Sequence, residues 1–133
     1  LLLQIDWGLL LLFILMFIDL RLLAGQSLVQ GWMSRLELAQ PRHLFWAGVG
    51  ASQIISNVPA TIALAEYSRD WRIIAYGVNI GGFGFMVGSM ANLIALRMAG
   101  DHKAWLSFHA YSVLFLGLAC GVGYSLLFLL HAG

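Results

Sequence analysis

The chain has 133 residues and a net charge of +1 at pH 7, with 61% hydrophobic and only 10% charged residues. Its mean hydropathy of +0.87 excludes an ordinary soluble domain and is typical of integral membrane proteins. The seven lysines and arginines are scattered along the chain rather than grouped on one face, which argues against a nucleic-acid partner.

A first spanning helix is predicted over residues 1–24, with Trp7 near one membrane interface and Arg21 near the other. Asp19 lies within this apolar run, where a carboxylate usually finds a partner or a cavity. We interpret Asp19 as a boundary residue that is wetted or paired with Arg21 or Arg35, with a proton or cation site as the alternative. Because the chain starts inside an apolar run, we expect no signal peptide and a longer parent protein.

The next segment, residues 26–41, is predicted to be an amphipathic helix that lies in the membrane interface. Leu28, Trp32 and Leu36 fall near one face of such a helix, whereas its polar residues fall elsewhere. Pro41 is expected to end the helix, because proline cannot continue one. An interfacial helix here can lead the following element into the membrane from the side.

A re-entrant helical hairpin is predicted over residues 43–67, around the polar break Ser56-Asn57-Val58-Pro59. The apolar arms on either side are each too short to cross a bilayer, which takes about 20 helical residues. Pro59 suits the first position of the second arm, and Ser56 or Asn57 would cap it. Both arms leave unpaired backbone groups at membrane depth, which is tolerated only against protein or a water-filled cavity.

Residues 71–98 are long enough to span a membrane, but the middle of this segment is rich in glycine. The glycines are Gly81, Gly82, Gly84 and Gly88. Each costs roughly 1 kcal/mol relative to alanine inside a helix. We therefore expect a broken helix, in which two half-helices are joined by an extended stretch. The second half would restart near Gly88-Ser89, with Ser89 and Asn92 on the same face.

A last spanning helix is predicted over residues 103–131. Gly117 and Gly121 form a GxxxG pair, which indicates a helix-packing face rather than a phosphate loop. For His109 we favour a hydrogen-bonded packing role, with a proton relay as the alternative. The single cysteine, Cys120, offers neither a disulfide nor a metal cluster, so we interpret it as a small buried residue.

The two polar breaks can meet near the midplane if each reaches about half the membrane depth. Secondary transporters use broken helices in this way, with helix N-termini towards an anion and exposed carbonyls around a cation. Ser52 and Ser56 lie one turn apart on the same face, and with Asn57 they offer neutral oxygen ligands suited to sodium. No other metal or cofactor is expected, because histidine, cysteine and carboxylates do not cluster. The alternative is that these residues only cap helix ends and join helices.

Three stretches carry a resemblance to a known family: IISNVPA at 54–60, GVNIGG at 77–82 and GSMANLI at 88–94. Together they resemble the second half of the ion transporter superfamily, which includes sodium/dicarboxylate symporters, citrate transporters and arsenite and sodium/proton antiporters. The resemblance covers nearly the whole chain and implies an all-α integral membrane fold. Its elements are a spanning helix, an interfacial helix, a re-entrant hairpin, a broken helix and a terminal helix. It also implies that residues 1–133 form the second inverted repeat of a longer transporter.

The resemblance further implies which residues contact solute and ion. The implied substrate site contains Ser56, Asn57, Val58, Ser89 and Asn92. The implied cation site contains Ser52, Ser56, Asn57 and the backbone of Gly88. Val58 stands where the dicarboxylate members have threonine, and the missing hydroxyl removes one hydrogen bond to a substrate. The form Ser-Asn-Val-Pro is more similar to the arsenite and sodium/proton antiporter branch.

We therefore predict half of a secondary transporter that moves an anion or oxyanion-like solute together with, or in exchange for, sodium or protons. The expected partners are the lipid bilayer, the amino-terminal half of the same protein, a small anionic solute and a second copy in a homodimer. The expected location is the bacterial inner membrane. The alternative is a membrane-embedded structural or assembly subunit without transport activity. No enzymatic activity is expected, because no serine with a positioned base can be assigned.

Two criteria for membrane orientation disagree. One end of the predicted helices carries Arg21, Arg35, Arg42, Arg69 and Arg72, and the other end carries Arg97 and Lys103. The positive-inside rule therefore places the mouth of the hairpin in the cytoplasm. The family resemblance implies that this hairpin opens to the outside, so the sequence leaves the orientation open.

Overall fold

The computed structural model describes residues 7–129, which fold into seven α-helices and one 3-10 turn. The helices are α1 (Trp7–Ala24), α2 (Ser27–Arg35), α3 (Pro41–Ile55), α4 (Asn57–Ala65), α5 (Trp71–Gly81), α6 (Met90–Ala99) and α7 (His102–Phe128), and the 3-10 turn is Met86–Gly88. No strand occurs within these residues, so the prediction of an all-α membrane fold is confirmed. The outermost parts of the first and last predicted spans, residues 1–6 and 130–131, lie outside the described residues.

Helix α7 is the longest element. Its 27 residues correspond to about 40 Å of helix, and Lys103–Phe128 is long and apolar enough to cross a membrane. Helices α1 and α2 meet the same criterion only together, as a pair bent by 73°. This bend lays α2 across the end of α1, which is the arrangement that an interfacial helix requires.

Helix α2 is shorter than predicted, because it ends at Arg35 and residues 36–40 form turns. Two local features explain the early end. Glu37 has a left-handed backbone, with φ of 47°. Pro41 excludes a helical conformation at the preceding Gln40, which is extended at φ −83° and ψ 123°. Pro41 therefore begins α3, where its missing N–H costs nothing, instead of ending α2.

Helices α3 and α5 form the centre of the structure and run side by side in parallel. Gly48 packs directly on Gly77, and a Cβ atom on Gly77 would lie 2.6 Å from the carbonyl oxygen of Phe45. One turn further along both helices, Gly81 meets Val49 in the same way. The glycines thus allow the two backbones to touch, as small residues do between membrane helices.

Helix α7 runs antiparallel to this pair and covers its apolar side. The buried ring of Phe45 lies 6.1 Å from the ring of Tyr124 and 6.0 Å from that of Phe128. At the other end of the contact, the Ser112 hydroxyl accepts a hydrogen bond from Gly84 N–H at 2.9 Å. The aliphatic core between α3, α4 and α5 includes Leu44, Val49, Ala60, Leu64, Ile73, Ile74, Val78 and Ile80.

Helix α1 docks on α4 at the end of the molecule where both helices finish. Arg21 Nε lies 3.2 Å from Glu66 Oε1, and the Tyr67 hydroxyl donates to the carbonyl oxygen of Ala24 at 2.7 Å. Burial, with a smaller contribution from the Glu66 carboxylate, raises the pKa of Tyr67. The proposed pairing of Asp19 with Arg21 is not formed, because residues two apart on a helix do not face each other.

Candidate functional site

The hairpin turns at a single residue. Helix α3 ends at Ile55, α4 begins at Asn57, and Ser56 between them has φ 73° and ψ 158°. This backbone region is essentially restricted to glycine, and a side chain there costs about 1–3 kcal/mol. Because the turn is so short, Pro59 occupies the third helical position rather than the predicted first, where it still sacrifices no helical hydrogen bond.

The hairpin tip presents backbone polar groups that lack helical partners. Within the described residues, the carbonyls of Gln53, Ile54 and Ile55 accept no backbone hydrogen bond at the end of α3. The backbone N–H of Asn57, at the start of α4, likewise donates to no carbonyl. Ser56 does not cap α4 with its hydroxyl, whereas the Asn57 side-chain oxygen accepts from Val58 N–H at 2.9 Å.

The second break separates α5 from α6. Helix α5 ends at Gly81, and α6 begins at Met90 with Ser89 as its N-cap, whose hydroxyl accepts from Ala91 N–H at 3.3 Å. Between them residues 82–85 form a turn and bends that lead into the 3-10 turn. Gly84 has φ of 99°, a conformation that only glycine adopts readily, and it lets the chain leave the axis of α5. The predicted broken helix is therefore present, and its second half starts within two residues of the expected point.

The two breaks meet first at Gly81. A Cβ atom on Gly81 would lie 2.6 Å from the Val49 carbonyl oxygen and 2.7 Å from Cβ of Ser52. A Cβ atom on Gly88 would in turn lie 2.6 Å from the Gly81 carbonyl oxygen. Ser52 and Gly88, both assigned to the cation site, thus approach the same glycine.

The breaks meet again at Gly82. The Asn57 side-chain nitrogen lies 3.7 Å from where a Cβ atom on Gly82 would stand, and the Asn92 side-chain nitrogen donates to the Gly82 carbonyl oxygen at 2.8 Å. Both asparagines assigned to the substrate site therefore lie near Gly82, and Asn92 is hydrogen-bonded to it. The tip of the hairpin and the start of α6 are neighbours in space, although they are distant in sequence.

The remaining assigned residues lie around this meeting point in different environments. Ser52 is fully buried and its hydroxyl donates to the Val78 carbonyl at 3.1 Å, so it ties α3 to α5. The Ser56 hydroxyl lies 3.4 Å from the Asn57 side-chain oxygen. Ser89 is half-buried and caps α6, whereas Val58 is 39% exposed on the outer side of the tip.

Three polar side chains at the second break were not singled out for this role by the sequence. Gln53 contacts the chain between α5 and the 3-10 turn through both ends of its carboxamide. Ser112 and His109 reach the same stretch from α7, and His109 accepts from Met86 N–H at 3.4 Å while its other ring nitrogen lies 2.8 Å from the Trp105 carbonyl. His109 is therefore hydrogen-bonded. The sequence signal that could have found these residues is that each is polar within an apolar run, because such residues usually face protein rather than lipid.

The chemistry of the site comes from neutral oxygen and nitrogen groups. Throughout residues 7–129, no three histidine, cysteine or carboxylate side chains come together as metal ligands would. The free carbonyls at the end of α3, the Ser56 hydroxyl and the Asn57 amide oxygen are neutral oxygen groups of the kind through which broken membrane helices bind cations. The unpaired N–H groups at the starts of α4 and α6 suit an anion instead.

The chain is similar to two membrane proteins. It is 46% identical to the inner membrane protein YbiR of Escherichia coli over 130 residues, which are 98% of this chain and 35% of that protein. It is 39% identical to an uncharacterized transporter of Methanocaldococcus jannaschii over 99 residues, 74% of this chain and 27% of that protein. The chain thus spans about a third of the length of these relatives or less. No family model and no solved structure matches it.

These similarities indicate a membrane protein of a transporter-like kind. The predicted location as an integral protein of the inner membrane is confirmed by the Escherichia coli relative together with the long apolar helix α7. A lipid bilayer is accordingly part of the environment of the chain. The wide exposure of apolar side chains on α1 and α7, including Leu11, Leu22, Leu114 and Leu118, is what such an environment requires.

Proposed function

We propose that the chain is half of a secondary transporter of the ion transporter superfamily, which moves an anion or oxyanion-like solute coupled to sodium or protons. The observation that carries the proposal is the meeting of the two helix breaks at Gly81 and Gly82. Two interruptions that served only to bend helices would not have to touch. In alternating-access transporters, however, a central site between broken helices requires that they do.

The cation would bind at the hairpin tip. The carbonyls of Gln53, Ile54 and Ile55 carry the partial negative charge of a helix C-terminus and have no backbone partner. The Ser56 hydroxyl and the Asn57 amide oxygen lie beside them, with Ser52 one turn below and the backbone of Gly88 on the opposite wall. Proton coupling would use the same site, with a hydrated proton or a protonated solute in place of sodium.

The anionic solute would bind where α4 and α6 begin. The N–H groups of Asn57, Ser89 and Met90 have no backbone partner within the described residues, and both helices direct their positive ends there. The Asn57 and Asn92 amides can add donors if they release their present contacts. Val58 lacks a hydroxyl at this point, which favours an oxyanion-like solute of the antiporter branch over a dicarboxylate.

The solute site needs residues from a second repeat to complete it. The Escherichia coli relative is about three times as long as the matched region, and inverted repeats of such transporters each supply one hairpin and one broken helix. The proposed partner of this chain is therefore the other repeat of the same protein. The name of the Methanocaldococcus jannaschii relative, which calls it a transporter, supports the general class.

A membrane-embedded structural subunit is the second candidate. It is favoured by the dense hydrogen bonding of the α5–α6 break, where side chains of α3, α6 and α7 satisfy the backbone. In that case the breaks would only pack helices together, and no ion would bind selectively.

Ion-dependent stability of the full-length protein separates the two candidates. A ligand that binds only the folded state stabilises it by RT ln(1 + [L]/Kd), about 2.7 kcal/mol at 100 times Kd. On the transporter proposal, the melting temperature of purified protein rises and saturates with sodium at fixed pH, with potassium as control, or with proton concentration at fixed sodium. Curves that are flat in both titrations would contradict the proposal and support the structural subunit.

A further inference from the structure

Residues 82–85, between α5 and the 3-10 turn, keep only part of the helical hydrogen bonding, and we call them the crossover segment. The N–H groups of Gly82 and Phe83 donate to carbonyls of α5 at 3.1 Å, but within the described residues those of Gly84 and Phe85 have no backbone partner, and neither do the carbonyls of Gly82 and Phe83. Unsatisfied polar groups at membrane depth cost several kcal/mol each, so these four groups need side-chain partners. The identity of those partners decides the shape of the segment.

Gln53 supplies more of these partners than any other described residue. Its side-chain nitrogen donates to the carbonyl oxygens of Gly81 and Phe83, and its side-chain oxygen accepts from Phe85 N–H at 2.9 Å. Ser112 and Asn92 each contribute one bond to this segment, at Gly84 and Gly82. Gln53 thus holds the segment at Phe83 and Phe85, and it also holds the Gly81 carbonyl that directly precedes the segment.

The position of Gln53 links these hydrogen bonds to the proposed site. Gln53 lies on the last turn of α3, three residues before the strained Ser56. The same helix end therefore carries both the hairpin tip and the side chain that holds the crossover segment. Its side-chain nitrogen also lies 3.3 Å from where a Cβ atom on Gly88 would stand. A shift of the carboxamide would therefore move Gly88 relative to the tip.

We propose that Gln53 is the positioning residue of the site, because its carboxamide holds the crossover segment in place and thereby sets the distance between Gly88 and the hairpin tip. Both of its N–H groups and its oxygen are engaged with the backbone, which leaves it no donor for a solute. Gln53 acts by positioning the backbone and not by contacting the solute or the ion. The inference rests on the proposed function for its effect on ion binding, but its effect on the backbone can be measured independently.

The test compares full-length wild-type protein with Gln53→Leu, which keeps the side-chain volume but removes all three bonds. Gln30→Leu is the control, since Gln30 is exposed and makes only a 3.4 Å contact with the Gly25 carbonyl. Hydrogen exchange at the Phe85 amide should accelerate by up to about tenfold in Gln53→Leu, as expected for loss of its hydrogen bond, and stay unchanged in the control. The ion concentration that gives half-maximal stabilisation should rise by a similar factor.

A second variant distinguishes positioning from general loosening. Gln53→Glu retains an oxygen for Phe85 N–H but loses at least one donor to the Gly81 and Phe83 carbonyls. We expect its Phe85 amide to exchange more slowly than in Gln53→Leu, while ion binding is still weakened. Equal exchange in both variants, spread evenly over α3 and α5, would show a folding defect and overturn the inference.

The outcomes for the inference and for the proposed function are separate. If wild type is stabilised by an ion and Gln53→Leu leaves the half-maximal concentration unchanged, the positioning role is wrong even if the melting temperature falls. If no ion stabilises wild type, the proposed function fails. The inference then stands only if exchange accelerates at Phe85 in Gln53→Leu and not in Gln30→Leu, and it fails otherwise.

Discussion

Replacing Gly81 by alanine is expected to destabilise the full-length protein by about 3 kcal/mol or more, at the upper end of what overpacking costs. The new Cβ atom would lie 2.6 Å from the Val49 carbonyl oxygen and 2.9 Å from Val49 Cα. These are backbone atoms of α3, which cannot rotate away as a flexible side chain can. Helices α3 and α5 would have to separate, and the contact between the two breaks would be lost with them.

The matched control is Gly50→Ala, in helix α3, the helix against which Gly81 packs. A Cβ atom there meets nothing within 4 Å, and alanine is favoured over glycine in a helix by up to about 1 kcal/mol. Thermal unfolding in detergent should therefore show a large drop for Gly81→Ala and an unchanged or raised midpoint for Gly50→Ala. Equal stability of the two variants would mean that α3 and α5 do not touch at Gly81.

The double substitution Asn57→Ala and Ser89→Ala is expected to abolish ion-dependent stabilisation of the full-length protein. Asn57 supplies an amide at the hairpin tip, and Ser89 caps α6 at the second break. If wild type is measured at 100 times its ion Kd, the loss amounts to about 2.7 kcal/mol. Without the ion, the double variant should lose only the hydrogen bonds that these two side chains accept from Val58 and Ala91 N–H, about 1 kcal/mol for each.

The controls for this pair are Asn79→Ala and Ser125→Ala. Both side chains make one hydrogen bond to their own helix, at the carbonyls of Ala75 and Gly121. Asn79 contacts the second break through its backbone carbonyl, which accepts from Gly82 N–H at 3.1 Å and is retained by alanine. Thermal-shift titrations with the ion should show a loss of ion-dependent stabilisation in the double variant at Asn57 and Ser89, but not in wild type or in either control variant. A double variant that responds to the ion as wild type does would place the cation elsewhere in the protein.

The positions of both breaks were predictable because the residues that cause them act locally. Ser89 accepts from the N–H of the residue two further on, so a capping residue next to a glycine was enough to locate the start of α6. The run of glycines similarly predicted the end of α5. The prediction that the breaks meet rested on their equal depth, and Asn57 and Asn92 at Gly82 are the contacts that correspond to it.

The role of Gln53 and the backbone conformation of Ser56 could not be predicted from local sequence preferences. The carbonyls that Gln53 satisfies become unpaired only once α5 stops beside α3, and they lie 28 and 30 residues along the chain. The positive φ of Ser56 is imposed by a turn that is one residue long, a conformation no local preference of serine favours. The predicted length of α2 was wrong for a local reason, because Pro41 begins α3 instead of ending α2.

The most direct test of the central claim is cross-linking of the two breaks in native membranes. The full-length protein would carry Asn57→Cys and Asn92→Cys, with Cys120→Ser to remove the thiol of this segment, and would be treated with a short bifunctional thiol reagent. Because both side chains lie near Gly82, linked peptides should form readily and be identified by mass spectrometry, whereas Asn57→Cys with Ser125→Cys should give none. Cross-linking of the first pair no faster than the second would mean that the breaks lie apart, and a shared ion and solute site between them would be ruled out.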